Sequence, residues 1–208
     1  MTQITSQNFS QLVSQVQIAH RLVVGFYQRL LPAIEHIANE LDCSIWHWDP
    51  IETNRPCKRS KQPADYWAWD MMPLFASEHS YCRTDGKIAR IGDVSVSFYV
   101  YLDENFDSEK RKKLGVPEDE EPDAIKLPIG DAVVNIYLFR CDRENGQSFE
   151  KQYEESDYVD EQDSKIQKWQ KVSDHMSGML LRKTLVEFIS DPERIIADLR
   201  PLLNTTPI

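Results

Sequence analysis

A chain of 208 residues with 41 % hydrophobic and 10 % aromatic content can bury most of the surface its unfolded form exposes, and its composition is that of a folded protein rather than a disordered one. No apolar run approaches the ~20 residues that span a bilayer. The start Met1-Thr2-Gln3-Ile4-Thr5-Ser6-Gln7 lacks a basic and apolar secretory signal, so a cytoplasmic protein with no membrane attachment is expected. The formal net charge of −10 argues against a nucleic-acid partner, because that binding runs on cations that neutralise phosphates.

Residues 8–41 come first and read as helix. Phe9, Leu12, Val13, Val16, Ala19, Leu22, Val23, Phe26, Tyr27, Leu30, Ile34, Ile37, Ala38 and Leu41 keep steps of three and four. Asn8 or Ser6 can cap its start. Pro32 interrupts the composition but not the apolar register, which predicts one kinked helix or two nearly collinear ones. At ~1.5 Å per residue such an element is expected to span the domain as its central brace.

Cys43 to Trp48 alternates as a strand and is closed by Asp49-Pro50. Residues 52–65 lack periodicity and carry Arg55, Lys58, Arg59 and Lys61, so they read as a basic loop. Residues 66–84 fit either a strand or short turns. Lys87 to Ile91, followed by Gly92-Asp93, predicts a strand and turn. The clearest strand is Asp93 to Leu102. Val94, Val96, Phe98, Val100 and Leu102 face one way; Ser95, Ser97, Tyr99 and Tyr101 face the other. Ala132 to Cys141 repeats the pattern, with Val134, Ile136 and Leu138 against Val133, Asn135, Tyr137 and Phe139. One aliphatic face backed by tyrosine, serine and asparagine is the mark of an antiparallel sheet with helices on one side.

Asp107 to Gly115 reads as a short helix with acids at its start, bases at its end and a glycine stop. Residues 142–164 read as flexible. Residues 179–189 satisfy both periods, with strand preferred. Ser190 or Asp191 then caps a closing amphipathic helix through Ile195, Ile196, Leu199, Leu202 and Leu203, which Pro201 should stop or distort.

The acidity is concentrated. Residues 103–125 hold nine acids and four bases, and residues 142–164 hold nine acids and two bases, leaving the rest near +2. Both segments read as connections within a single α+β domain covering 1–208. Acidic segments of this kind suit solubility, metal ions or a basic protein partner.

Two short motifs hold four of the five tryptophans: Trp46-His47-Trp48-Asp49-Pro50 and Trp67-Ala68-Trp69-Asp70-Met71-Met72-Pro73. In an extended backbone both rings of a Trp-x-Trp pair point to one side. With Tyr66 and the neighbouring cations, Trp46, Trp48, Trp67 and Trp69 would form an aromatic and cationic groove able to anchor a partner or stack a nucleotide. The plainer reading buries those rings beneath the helix. His79 and Cys82 form an H-x-x-C pair, but Cys43, His47 and Cys57 are scattered, so no metal is expected. Asp49, Asp65, Asp70, Asp85 and Asp93 fall where aspartate serves turns, and neither they nor the Cys-His pairs make a catalytic signature. No phosphate-loop, dinucleotide or serine-elbow motif occurs, and no cofactor is implied.

The resulting expectation is an antiparallel sheet of about four to six strands, packed on one face by a long N-terminal helix and a C-terminal helix. The leading functional reading is a binding protein of inhibitor, immunity or adaptor type. Its acidic loops and Trp-rich patch would engage a basic protein partner, and self-association is open to it. The alternative is an enzyme or ligand-binding domain for a small phosphate-bearing or nucleotide-like molecule, held by Arg55, Lys58, Arg59 and Lys61 against a stacked tryptophan.

Overall fold

The computed structural model describes residues 6–51, 76–84, 86–117, 122–123, 126–157, 159 and 168–204. Helix α1 runs Ser6–Glu40 without interruption at Pro32. It ends where Asp42 adopts a left-handed φ of 57° and the Cys43 amide donates back to the Ala38 carbonyl at 3.0 Å, a helix stop that frees the chain to reverse direction. Strand β1 follows at once as Ser44–Pro50.

Five further strands complete the sheet on one side of β1: β2 (Ala76–Arg83), β3 (Val94–Tyr101), β4 (Val133–Cys141) and, beyond it, β6 (Met176–Thr184), with the two-residue β5 (Gln170–Lys171) at the far edge. The order is β1-β2-β3-β4-β6-β5 and every pairing is antiparallel. This is the α+β architecture that the strand alternation predicts, with six strands.

The aliphatic face carries the main core. Val94, Val96, Phe98 and Val100 of β3, Val134, Ile136 and Leu138 of β4, and Met179 and Leu181 of β6 meet Leu30, Ile34 and Ile37 of α1 and Leu41 just past its end. The C-terminal helices α4 (Leu185–Ser190) and α5 (Pro192–Leu203) close it with Phe188, Ile195, Ile196 and Leu199. Phe98 and Phe188 meet edge to face, centroids 5.4 Å apart, the arrangement that aromatic quadrupoles favour. His36 of α1 reaches Glu193 of α5 at 2.8 Å, and Arg200 bonds the Glu40 carbonyl at 2.7 Å. Only the C-terminal half of α1 is held this way. The expected brace across the whole domain is therefore half a brace, because the helix is longer than the sheet it crosses.

The opposite face has a smaller cluster. Phe139, Cys141, Met176 and Leu180 of the sheet are covered by Phe149, Val159, Val172 and Ala89. Phe149 belongs to α3 (Phe149–Glu154), capped by the Ser148 hydroxyl, which accepts from the Lys151 amide at 3.2 Å. The stretch read as flexible thus contains an ordered helix in its described part. Helix α2 (Ser108–Lys113) forms as expected, with the Asp107 carboxylate capping it and Gly115 beyond its end at a φ of +84°.

Three local expectations differ. Residues 87–91 are not a strand: Ile88 and Ile91 are exposed, and only Ala89 turns inward, its amide bonding the Gln147 carbonyl at 2.8 Å. Residues 179–189 divide between both periods, strand to Thr184 and helix from Leu185. The switch is a capping box, in which Thr184 and Glu187 satisfy each other's backbone amides. Pro201 lies within α5 and does not end it.

Candidate functional site

The first Trp motif does not form the patch its spacing suggests. β1 and β2 slip register between Ile45 and His47, and this bulge inserts one extra residue on the β1 side. Trp46 consequently leans on Phe149 and Tyr153 of the second face, centroids 6.2 and 5.1 Å away. Trp48 instead stacks on His79 at 6.4 Å with the planes 19° apart, and it stays 55 % exposed. The rings of Trp46 and Trp48 are therefore separated. Trp67, Trp69, Tyr66, Arg55, Lys58, Arg59 and Lys61 lie outside the described residues, as do Asp65, Asp70, Asp85 and Cys57.

The remaining sequence candidates resolve into structural roles. Residues 79 and 82 have opposite strand parity, so His79 and Cys82 point to opposite faces; among the described residues no group of metal-binding side chains converges. His79 bonds Ser77 at 3.0 Å, and burial pushes its pKa down, with Glu78 opposing that shift. Burial raises the Cys43 thiol to about 12, which leaves it protonated and inert. Asp93 accepts from Thr84 at 2.8 Å and from the Arg90 amide at 3.0 Å, so it holds a turn. Asp49 is exposed on the edge strand.

The second face is where polar groups gather. Glu78 of β2 accepts from Ser80 at 2.7 Å and pairs with His47 at 3.0 Å. Ser80 also touches Ser97 at 2.6 Å. Burial raises the Tyr99 pKa far above its ordinary value, and its neighbours Tyr153 and Glu78 push the same way. Serine and histidine here both engage one carboxylate, and Ser80 is sealed from solvent. This is not the nucleophile–base order that acyl transfer requires.

Beside this network lies a cleft of about 360 Å³, within the size range of small-ligand and side-chain pockets. Its floor is Tyr101 of β3, Asn135 and Tyr137 of β4, and Arg182 of β6. Asn135 sits opposite Tyr99 on one side and Arg182 on the other. One wall is the segment after β3, with Glu104, Asp107, Glu109 and Lys110; Val159 supplies part of the other. Each wall comes from one of the two acidic segments.

Electrostatically the cleft is tethered on one side and unmet on the other. Arg182 reaches Glu104 at 2.6 Å, and Lys110 reaches it at 3.4 Å. Burial alone would raise the Glu104 pKa, but its contacts with Arg182 and Lys110 outweigh burial and hold it below the ordinary value. Asp107 is occupied as the α2 cap, accepting from the Glu109 and Lys110 amides at 3.0 and 3.2 Å. Asn135 is only 7 % exposed, and its Oδ1 has no hydrogen-bond partner. Buried acceptors are normally satisfied. An orphan acceptor between tyrosine rings, with carboxylates at the rim, is chemically suited to a cationic or N–H-bearing group.

The chain belongs to the family described as PM0109, whose family model matches residues 6–191. No curated protein matches the chain, and no solved structure does either.

Proposed function

We propose that this member of the PM0109 family is a cytosolic binding protein of inhibitor, immunity or adaptor type, and that it engages a basic segment of a protein partner. One observation carries the reading. Two acidic segments far apart in the chain are folded against one cleft, whose floor offers two tyrosines and the unpartnered Oδ1 of Asn135. A lysine or arginine side chain from the partner would supply the missing donor and rest against the tyrosine rings. The rim carboxylates, Glu109 foremost, would steer its approach. Trp48, exposed on the edge strand β1 but on the helix-bearing side of the sheet, and the second Trp motif would be aromatic contacts outside the cleft in this reading.

The test is capture from native lysate on immobilised full-length protein, at low and at high salt. A Glu109→Lys variant serves as the matched bait, because an exposed α2 position tolerates charge reversal within about 0.5 kcal/mol of stability. Retention of a basic protein that high salt releases and Glu109→Lys fails to hold supports the proposal. Equal retention by both baits, or a monodisperse protein that retains nothing at any ionic strength, contradicts it.

A further inference from the structure

The N-terminal half of α1 stands clear of the sheet. Leu12, Val13, Val16, Ile18, Leu22 and Val24 are each between 45 % and 67 % exposed, while Leu30, Ile34 and Ile37 of the same helix are sealed in the core. Gln15, Gln17, His20 and Arg21 are interspersed, so the arm is amphipathic, and its exposed apolar stripe calls for a cover in water. Helices hold their shape mainly through what they pack against.

The spacing and the charge both indicate what provides it. Leu12, Val16, Ala19 and Val23 alternate steps of four and three, the spacing of a left-handed coiled-coil seam, and the same stripe runs on through Phe26 and Leu30 into the chain's own core. The flanking Val13, Gln15, His20 and Leu22 offer no carboxylate or lysine with which to select a charged foreign helix. Residues 1–34 contain Arg21 and Arg29 and no acid, so a chain of net −10 carries −12 on everything that follows. Two such bodies repel. Parallel pairing of the arms would set them side by side. Antiparallel pairing places them at opposite ends of an overlap of ~20 Å, about twice the ~10 Å screening length at 0.1 M salt. It also brings the positive dipole end of each α1, which has no acid in its first turn, toward the acidic body of the other copy.

We propose that the protein forms an antiparallel homodimer through the N-terminal half of α1. The interface is two-fold symmetric: Val16 of one copy meets Ala19 of the other, and Leu12 meets Val23. The small Ala19 lets the two helices approach closely at the centre. A seam of this length is at the small end of stable interfaces, so the dimer should dissociate on dilution. The surface is separate from the cleft, and failure of one proposal leaves the other standing.

Sedimentation velocity on the full chain across a wide concentration range tests this. The wild type should pass from monomer to dimer. Leu12→Glu with Val16→Glu should remain monomeric, with a thermal melt equal to that of the wild type at concentrations where the wild type is itself monomeric, because both side chains are exposed in the single chain. Ile129→Glu, a substitution at an exposed site elsewhere, should dimerise like the wild type. Small-angle scattering of the dimer should show two separated lobes. A wild type that stays monomeric throughout overturns the proposal, as does a dimer that ignores the Leu12 and Val16 substitutions or scatters as one compact particle. A monomer that instead floats with phosphatidylglycerol vesicles through these residues also overturns it and assigns the face to a membrane surface.

Discussion

Replacing Asn135 with leucine should make the protein more stable and a poorer binder. Asn135 is 7 % exposed and its Oδ1 is unpartnered; a buried acceptor left dry costs ~1–3 kcal/mol. Asn135→Leu removes that acceptor. The adjoining cleft of about 360 Å³ gives the branched tip somewhere to go, so little is lost again to overpacking. The net gain is about 1–2 kcal/mol, and a chain of this length gains ~2–4 °C in Tm per kcal/mol. Scanning calorimetry should thus record a rise of about 2–8 °C. The same change removes the acceptor offered to a cationic partner group, weakening capture by roughly 5–30-fold. A fall in Tm accompanied by unchanged binding would mean instead that Asn135 serves the fold and not the cleft.

Phe188→Ala should cost ~3–5 kcal/mol in urea unfolding, because Phe188 is fully buried against Phe98; a loss under 1 kcal/mol would mean that α4 does not close the core. Gly178→Ala should cost ~1–3 kcal/mol, since an added Cβ would lie 2.5 Å from Val159 and 3.1 Å from Phe139 and Val172. An unchanged melt would place Val159 elsewhere. Burial raises Tyr27 in α1 from 10.0 to about 12. A raised folded pKa favours the fold below the unfolded value and loses that contribution as pH climbs toward the folded one. The urea midpoint should therefore fall between pH 10 and 12, less steeply in Tyr27→Phe, with Tyr81 and Tyr99 supplying the remaining slope. Identical slopes in the two proteins would contradict the burial of Tyr27.

Strand alternation carried most of the fold. Val94 through Leu102 and Val133 through Cys141 show which residues face the helices, and that pattern alone identifies Tyr101, Asn135 and Tyr137 as neighbours on the other face. The cleft's floor was therefore largely legible. Its walls were not. Glu104 is one acid among nine in its segment, and nothing local says that it pairs with Arg182, 78 positions away. The Trp46–Trp48 patch failed because strict alternation assumes an unbulged strand, and a single register slip moved one ring across the sheet. Helix periodicity located α1 well, yet periodicity reports an apolar stripe without saying what covers it. The α1 arm looked like core for that reason. The capping box at Thr184 was readable from T-x-x-E, and it outranks the strand pattern that overlaps it.

A cleft on the second face that receives a basic segment should respond to peptides of one charge only. Amide chemical-shift mapping tests this most directly, titrating labelled full-length protein with short lysine- and arginine-rich peptides and with glutamate-rich peptides of equal length. Salt-sensitive shifts are expected at Tyr101, Glu104, Glu109, Asn135, Tyr137 and Arg182 with the basic peptides, lost in Glu109→Lys. Shifts spread evenly over the surface, or a cleft that responds equally to acidic peptides, would contradict this.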